Sequence, residues 1–456
     1  MVRSMRKRDR GGSSWAALIL GAALAFVAAT VLTCKATPRT NLLLITLDTT
    51  RRDHLGVYGY GRPTTPALDR FASRARVYTA ALSTSSWTLP AHASLFTGLL
   101  PSSHGANWDP EGSIGLADAL ENGENSRAYR ASPLGPDVPT LAEILRNAGY
   151  RTGAVVSGAW LAHIFGLGRG FEHYDDEGTR KLDGGLGDRV TERALAWLAE
   201  KDDRPFFLFL NYFDPHMPYS DPDGYRLRYL KEIGPTADHQ AKMRAAYDGE
   251  INFMDVQLGM LFDRMEQQGL FENTLVVVTA DHGELIGEHG IYGHNRFLYE
   301  ELLRIPLLVR MPGATRSERL DTPVQLTDVF AMVLSMLQLP IPEGIQGRAD
   351  PGQRGPIFAE VQPLAFQVAS GPRYAIFDGD YKLVSTKQGA QLFNVANDPG
   401  ESRDLAAAEP ERAAAMKASL EALLRSLPPP TPDRDRSVKP VDEDTQRALK
   451  GLGYIE

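Results

Sequence analysis

From Asn41 to Leu47 the chain is aliphatic at every position except Asn41 and Thr46, and the run lies between Pro38 and Asp48. An apolar run of this length without polar alternation predicts a strand buried on both faces, as in a parallel sheet. The pattern recurs at Thr152 to Val156, Phe206 to Tyr212, Leu275 to Ala280 and Ile305 to Arg310. Between these runs, Thr140 to Arg146 and Ile251 to Met265 carry helical periodicity, the second stopping near Gly269. Strands alternating with helices predict an α/β fold, a mostly parallel central sheet flanked by helices. Ala106 to Val138 breaks the rhythm with Gly, Pro, Asn and Asp, and reads as a mobile surface loop or a lid. Beyond Pro340, short runs at Tyr374 to Phe377, Tyr381 to Val384 and Gln391 to Asn394 alternate with Gly-containing turns, which predicts a small antiparallel sheet. Pro410 to Leu427 then reads as a helix and Pro428 to Asp435 as extended chain.

Composition changes this picture mainly at the N-terminus. With 456 residues, 43% of them hydrophobic, the chain has material for a large core. Its net charge of -8 argues against a nucleic-acid partner, since phosphate backbones bind basic surfaces. Arg3, Arg6, Lys7, Arg8 and Arg10 precede an uncharged apolar run from Trp15 to Thr33, long enough to span a bilayer. The basic flank stays in the cytoplasm, so the remainder would be exported to the periplasmic or cell-surface side. Residues 1–38 therefore read as a signal and membrane-anchor segment. The anchor is either a single transmembrane helix or a lipid on Cys34, which follows the run as in a bacterial lipoprotein. A lone cysteine excludes an intramolecular disulfide and a catalytic thiol in the body of the protein.

Candidate chemistry starts at Ser86 to Gly98. Pro90 suits the opening of a helix and Gly98 its stop, so Thr88 would stand at the positive end of a short helix. A Thr before a Pro also serves simply as a cap. As a nucleophile its hydroxyl needs an adjacent base or a metal. Three of the buried runs end in suitable groups: Asp48; Asp214-Pro215-His216; and Asp281-His282-Gly283-Glu284. Ligands of parallel α/β sheets bind beyond the carboxyl ends of strands, so these groups can meet. Asp48, Asp281, His282 and Thr88 would make a site for one divalent metal ion. Mixed carboxylate and imidazole ligation suits Zn²⁺ or Mn²⁺ better than Ca²⁺, with Mg²⁺ and Ca²⁺ remaining open.

These residues resemble the sulfatase family of the alkaline-phosphatase superfamily. The resemblance runs from Asn41 into the C-terminal region, through Leu47 to Gly56, Pro90 to Gly98, Asp214 to Tyr219, Asp281 to Glu284, Gly287 to Gly290, Tyr299 to Glu301 and Arg304 to Pro306. Leu392 to Asn394 and Asn397 to Glu401 look like the family's small C-terminal domain. It implies a sulfatase-like catalytic domain over 39–345, a C-terminal α+β subdomain over 346–427 and an extended tail over 428–456. Two departures bear on the substrate. Sulfatases place a cysteine or serine, converted to formylglycine, where this chain has Thr88, and an arginine where it has His92. Where many sulfatases read Gly-Lys-Trp-His, this chain reads Val156-Ser157-Gly158-Ala159, and His294 stands at the late lysine position.

The resulting expectation is a metal-dependent hydrolase of sulfate or phosphate esters working through a covalent Thr88 ester. The metal would acidify the Thr88 hydroxyl, His216 would protonate or hydrogen-bond the leaving oxygen, and His294, His92 and helix-end N–H groups would hold the other oxygens. Glu284 and His289 would orient His282, while His54 and His104 read as structural. The substrate would be a small-molecule, glycan or lipid ester. Two alternatives stand beside this: a membrane-tethered transferase of phosphoethanolamine or phosphoglycerol type, and a catalytically inactive relative that binds glycans.

Overall fold

The computed structural model describes Met1 and residues 39–116, 130–181, 186–220, 224–353, 355–362, 371–430 and 437–455. The anchor expected over 1–38 lies, Met1 apart, outside the described residues. Among the described residues no helix is long and apolar enough to cross a membrane.

The unit from Thr40 onward is built on one eight-stranded sheet. Its strands are β1 (Asn41–Leu47), β2 (Arg76–Tyr78), β3 (Arg151–Val155), β4 (His173–Asp175), β5 (Phe206–Tyr212), β6 (Thr274–Thr279), β7 (Leu307–Arg310) and β8 (Glu318–Leu320). They lie in the order β8-β2-β7-β6-β1-β5-β3-β4. The four strands β6, β1, β5 and β3 run parallel side by side, Leu44 facing Val277 on one side and Phe209 on the other. Antiparallel β7 joins β6 to β2.

The sheet is covered on both faces, which is why its strands read as unbroken apolar runs. Leu42, Leu44, Phe207, Phe209, Leu275 and Val277 pack on one face, with α1 (Thr88–Thr97), α2 (Leu141–Asn147) and, further along the chain, Leu326–Met336. Leu43, Ile45, Leu208, Leu210, Val276 and Val278 point the other way, onto α3 (Gly187–Ala199) and α4 (His239–Gln267). Gly153 in β3 makes the second layer close: a Cβ there would stand 2.5 Å from Trp197 of α3. The helix at Leu326–Met336, α5, packs against α1.

The second sheet is an antiparallel meander of β9 (Ile357–Val361), β10 (Arg373–Asp378), β11 (Tyr381–Thr386) and β12 (Gly389–Asn394), with α6 (Pro410–Ser426) against it. Its other face meets the main body through Leu82, Leu298 and Leu303. Lys382 of β11 is fully buried and pairs with the equally buried Glu401 at 2.8 Å, and Glu401 also accepts from the Glu300 N–H at 2.7 Å. Removing one member of a buried pair leaves the other charge uncompensated, so Lys382→Met is expected to cost about 3–5 kcal/mol in urea unfolding. Adding Glu401→Gln should return most of that loss; a single variant as stable as the parent would show that the pair is not sealed from water.

The chain end departs from the extended tail expected over 428–456. Lys439–Pro440 pairs with Ile114–Gly115, and α7 (Glu443–Gly451) starts at Asp442, whose carboxylate accepts from the Thr445 N–H at 2.9 Å. Val441, Ala448, Leu449, Tyr454 and Ile455 are buried in the same core cluster as α1. Within the stretch expected as a loop or lid, Asn107–Trp108, Ile114–Gly115 and Arg130–Ser132 join Lys439–Pro440 in a small four-stranded sheet. Residues 117–129 lie outside the described residues.

Candidate active site

The carboxyl ends of the three adjacent strands β6, β1 and β5 carry the polar groups. Asp48 follows β1, Asp281 and His282 follow β6 by two and three residues, and His216 lies on the turn after β5. Asp48, Asp281 and His282 each offer an atom such that all three lie within 4.8 Å of one another, and all are fully buried.

The hydrogen bonds leave oxygen atoms of the cluster unused. Asp281 Oδ1 accepts from the Thr49 and His282 N–H groups at 3.2 and 2.9 Å, while its Oδ2 makes no hydrogen bond and lies 3.3 Å from His282 Nε2 and 3.6 Å from His92 Nδ1. Asp48 Oδ2 accepts from Asn211 at 3.3 Å, and its Oδ1 has none. His282 Nδ1 donates to the Gly283 carbonyl at 2.9 Å, which leaves the Nε2 lone pair facing the carboxylates. Burial and then the charge of Asp281 push the Asp48 carboxyl well up. Burial acts the same way on Asp281, but His282 and His92 outweigh it and hold that carboxyl low. Two buried carboxylates with unused oxygens beside an imidazole lone pair fit one divalent cation.

Thr88 is the first residue of α1. Trp87 before it is extended, and the first helical bond runs from the Ala91 N–H to Trp87 O at 3.2 Å. Pro90 therefore sits at the third helical position, not the first as the sequence suggests; its missing N–H costs nothing there, because the early N–H groups have no intrahelical acceptor. Gly98 ends the helix in the left-handed region, as expected. The Thr88 hydroxyl lies 3.3 Å from His282 Nε2, at the edge of the carboxylate cluster.

His216 and His294 form the opposite side. His216 Nδ1 donates to Met217 O at 2.6 Å, its ring stacks on Phe213, and its Nε2 is directed inward. His294 Nδ1 meets Glu284 Oε1 at 3.0 Å, and its ring leans on that of His282 with centroids 4.5 Å apart. Burial, then the neighbouring His294, lowers His216 to about 3. Burial and His282 take His294 well below its ordinary value, and burial lifts Glu284 to about 7.

His92 is placed differently from its expected role as an oxygen-binding group. Four residues on from Thr88, it lies on the same face of α1. Its Nδ1 donates to Thr88 O at 2.9 Å and its Nε2 meets Thr46 Oγ1 at 3.0 Å. Both ring nitrogens are thus occupied by the scaffold, and His92 braces α1 on β1. Glu284 orients His294, not His282. His289 stacks on Tyr299 away from this cluster, 3.6 Å from Glu301. His54 and His104 are buried with internal partners, Asp248 and Ser94.

Three residues of the site lie outside the sequence expectation. Thr46 and Asn211 share the α1 face of adjacent strands, and Asn211 Nδ2 reaches both Thr46 Oγ1 and Asp48 Oδ2. Tyr454 is the third. Its hydroxyl lies 2.7 Å from His294 Nε2 and 3.1 Å from His216 Nε2, beside the Thr88 side chain. Burial, then Asp48, Glu284 and Asp281, keep its proton on.

A parallel-centred α/β sheet with polar groups gathered beyond its carboxyl ends is the architecture of ester hydrolases of the alkaline-phosphatase superfamily. The Sulfatase family model matches residues 40–339, and the chain belongs to the sulfatase family. It is 27% identical over 417 residues to an ulvan-active sulfatase of Formosa agariphila, covering 80% of this chain and 76% of that protein. Among solved structures, it resembles BT4656 bound to its substrate D-glucosamine-2-N,6-O-disulfate, with a TM-score of 0.71 at 16% identity over 85% of this chain and 98% of that one. It also resembles the phosphonate monoester hydrolase of Agrobacterium radiobacter, with a TM-score of 0.68 at 21% identity over 85% and 96% of the two chains. At these identities the structural likeness speaks for the fold.

Proposed function

We propose that this protein hydrolyses sulfate or phosphate-type esters by a metal-dependent route in which Thr88 is the nucleophile. The observation that carries this reading is the position of the Thr88 hydroxyl, 3.3 Å from Nε2 of His282, which clusters with Asp48 and Asp281, each of which has a carboxylate oxygen without a hydrogen bond. Asp48, Asp281 and His282 would hold the divalent ion, which supplies the positive charge that makes a neighbouring hydroxyl acidic at neutral pH. Thr88 Oγ1 then forms a bond to sulfur or phosphorus as the ester bond to the alcohol breaks. His216, with Nδ1 held by Met217, turns Nε2 toward the leaving oxygen; the negative charge of a bound ester would raise this imidazole from its depressed value, so that Nε2 takes up a proton and passes it to that oxygen. Water attacks the same central atom in the second half, releasing the anion and restoring Thr88.

Threonine offers no aldehyde hydrate from which the anion could be expelled by elimination, so both halves need direct attack at the central atom. That requirement favours phosphorus esters, and a phosphonate monoester hydrolase stands among the fold neighbours beside a sulfated-sugar enzyme. The basic residues Arg3 to Arg10 ahead of the Trp15 to Thr33 run support an exported, membrane-tethered enzyme.

The test is turnover by chelator-stripped protein resupplied with Mn²⁺, Zn²⁺, Mg²⁺ or Ca²⁺ on aryl sulfate, aryl phosphate, phosphodiester and phosphonate monoester substrates, quenched in acid and digested. Metal-dependent turnover with the added group on the peptide holding Thr88 is expected. Turnover with that peptide unlabelled under single-turnover conditions, or undiminished by chelation, would overturn the reading.

A further inference from the structure

The Tyr454 hydroxyl lies among the side chains of Thr88, His216 and His294, 366 residues along the chain from Thr88. It lies beside the Thr88 side chain and faces the inward nitrogens of His294 and His216 at 2.7 and 3.1 Å. Any group bonded to Thr88 Oγ1 must direct its remaining oxygens into the space these residues share. We infer that Tyr454 is a catalytic residue whose O–H donates to an oxygen of the group transferred to Thr88. The inference rests on the Thr88 reading and deepens it.

The surroundings supply what such a donor needs. Tyr454 is 2% exposed, and its ring meets the edge of Trp160 with centroids 5.3 Å apart. Trp160 in turn packs edge-on against Trp87, the residue before the nucleophile, at 4.8 Å. The Tyr454 N–H is fixed on Leu449 O at 3.0 Å, and Leu449 and Ile455 are buried in the core cluster of α1. The phenol is therefore held by the same packing that holds Thr88, as a preorganised donor must be. Ser157-Gly158-Ala159, where a Cβ on Gly158 would stand 3.2 Å from Asp48 Oδ2, carries no charged donor. When substrate enters, the phenol exchanges its bond to His294 for one to a substrate oxygen, and no net proton moves.

Tyr454→Phe keeps the ring against Trp160 and removes only the hydroxyl. In metal-loaded full-length enzyme it is expected to lower kcat about 10²–10³-fold, the usual effect of deleting one oxyanion donor, with KM changed less than about tenfold. Affinity for vanadate, which mimics the five-coordinate phosphorus, should fall by a similar factor, while affinity for inorganic phosphate falls much less. Unchanged kcat, or a KM that drops because the phenol had been competing with substrate, would overturn the inference. An unchanged melting temperature separates the lost hydroxyl from misfolding. If Thr88→Ala is inactive and Tyr454→Phe is fully active, this inference alone fails; if Thr88→Ala retains turnover, the reading beneath it fails.

Discussion

Thr88→Ala is expected to abolish catalysis while leaving the fold in place, with kcat down at least about 10⁴-fold on whichever ester the parent prefers. Deleting the nucleophile of an assembled site removes the covalent route altogether, and what remains is binding and charge stabilisation. The side chain meets His282 Nε2 and lies beside Tyr454, and the helix it starts is held through its backbone and through His92. Stability should therefore fall by only about 1 kcal/mol, the ordinary value of a buried hydroxyl bond. Thr88→Ser sharpens the test. It restores the oxygen but not the β-branch that limits the threonine rotamers, so activity should return to within about tenfold of the parent. A Ser variant as inactive as the Ala variant would show that the loss comes from disturbed packing at the helix start and not from the missing oxygen.

How far the sequence discloses this site depends on how local each signal is. Phe206–Tyr212 is legible to the residue, and the flanking runs to within a residue or two, because strands buried on both faces must be apolar throughout. The run predicted from Ile305 starts as a strand only at Leu307, after Pro306, which has no N–H for the ladder. The helix read as Ile251 to Met265 in fact spans His239–Gln267. Its first half carries buried polar groups such as Asp248 and Glu250, which hide the apolar period.

The metal-ligand candidates are legible for a topological reason: three polar residues follow three apolar runs, and parallel neighbours bring those ends together. His92 is misread because residue type suggests an anion ligand, whereas helical spacing from Thr88 fixes it on its own helix. Tyr454 is illegible for the opposite reason. It is 366 positions from Thr88, beyond a proline-rich segment, and only the alternation of buried Ala448, Leu449, Tyr454 and Ile455 with charged residues hints at a docked helix.

Asp48→Asn should move activity and metal-free stability in opposite directions. In the absence of a cation, Asp48 is a buried carboxylate whose Oδ1 has no partner and whose charge faces Asp281, so burial and repulsion push its pKa up. Asparagine has the same shape, removes that charge and keeps an oxygen for Asn211. The chelated variant should therefore melt at or above the temperature of the chelated parent. With metal the order reverses. A ligand that binds only the native state adds about 2.7 kcal/mol at a hundred times its dissociation constant, and the parent should show this as a concentration-dependent rise in melting temperature. The variant, with one anionic ligand of three lost, should show little rise and about 10³-fold less turnover, in keeping with several kcal/mol of lost charge stabilisation. Asp281→Asn should lose turnover likewise but without the gain in metal-free stability. Its Oδ1 already serves two N–H groups, and His282 and His92 already balance its charge. Equal metal-induced shifts in parent and Asp48→Asn would place the cation elsewhere. A chelated Asp48→Asn protein less stable than the chelated parent would show that the two carboxylates are not in conflict without it.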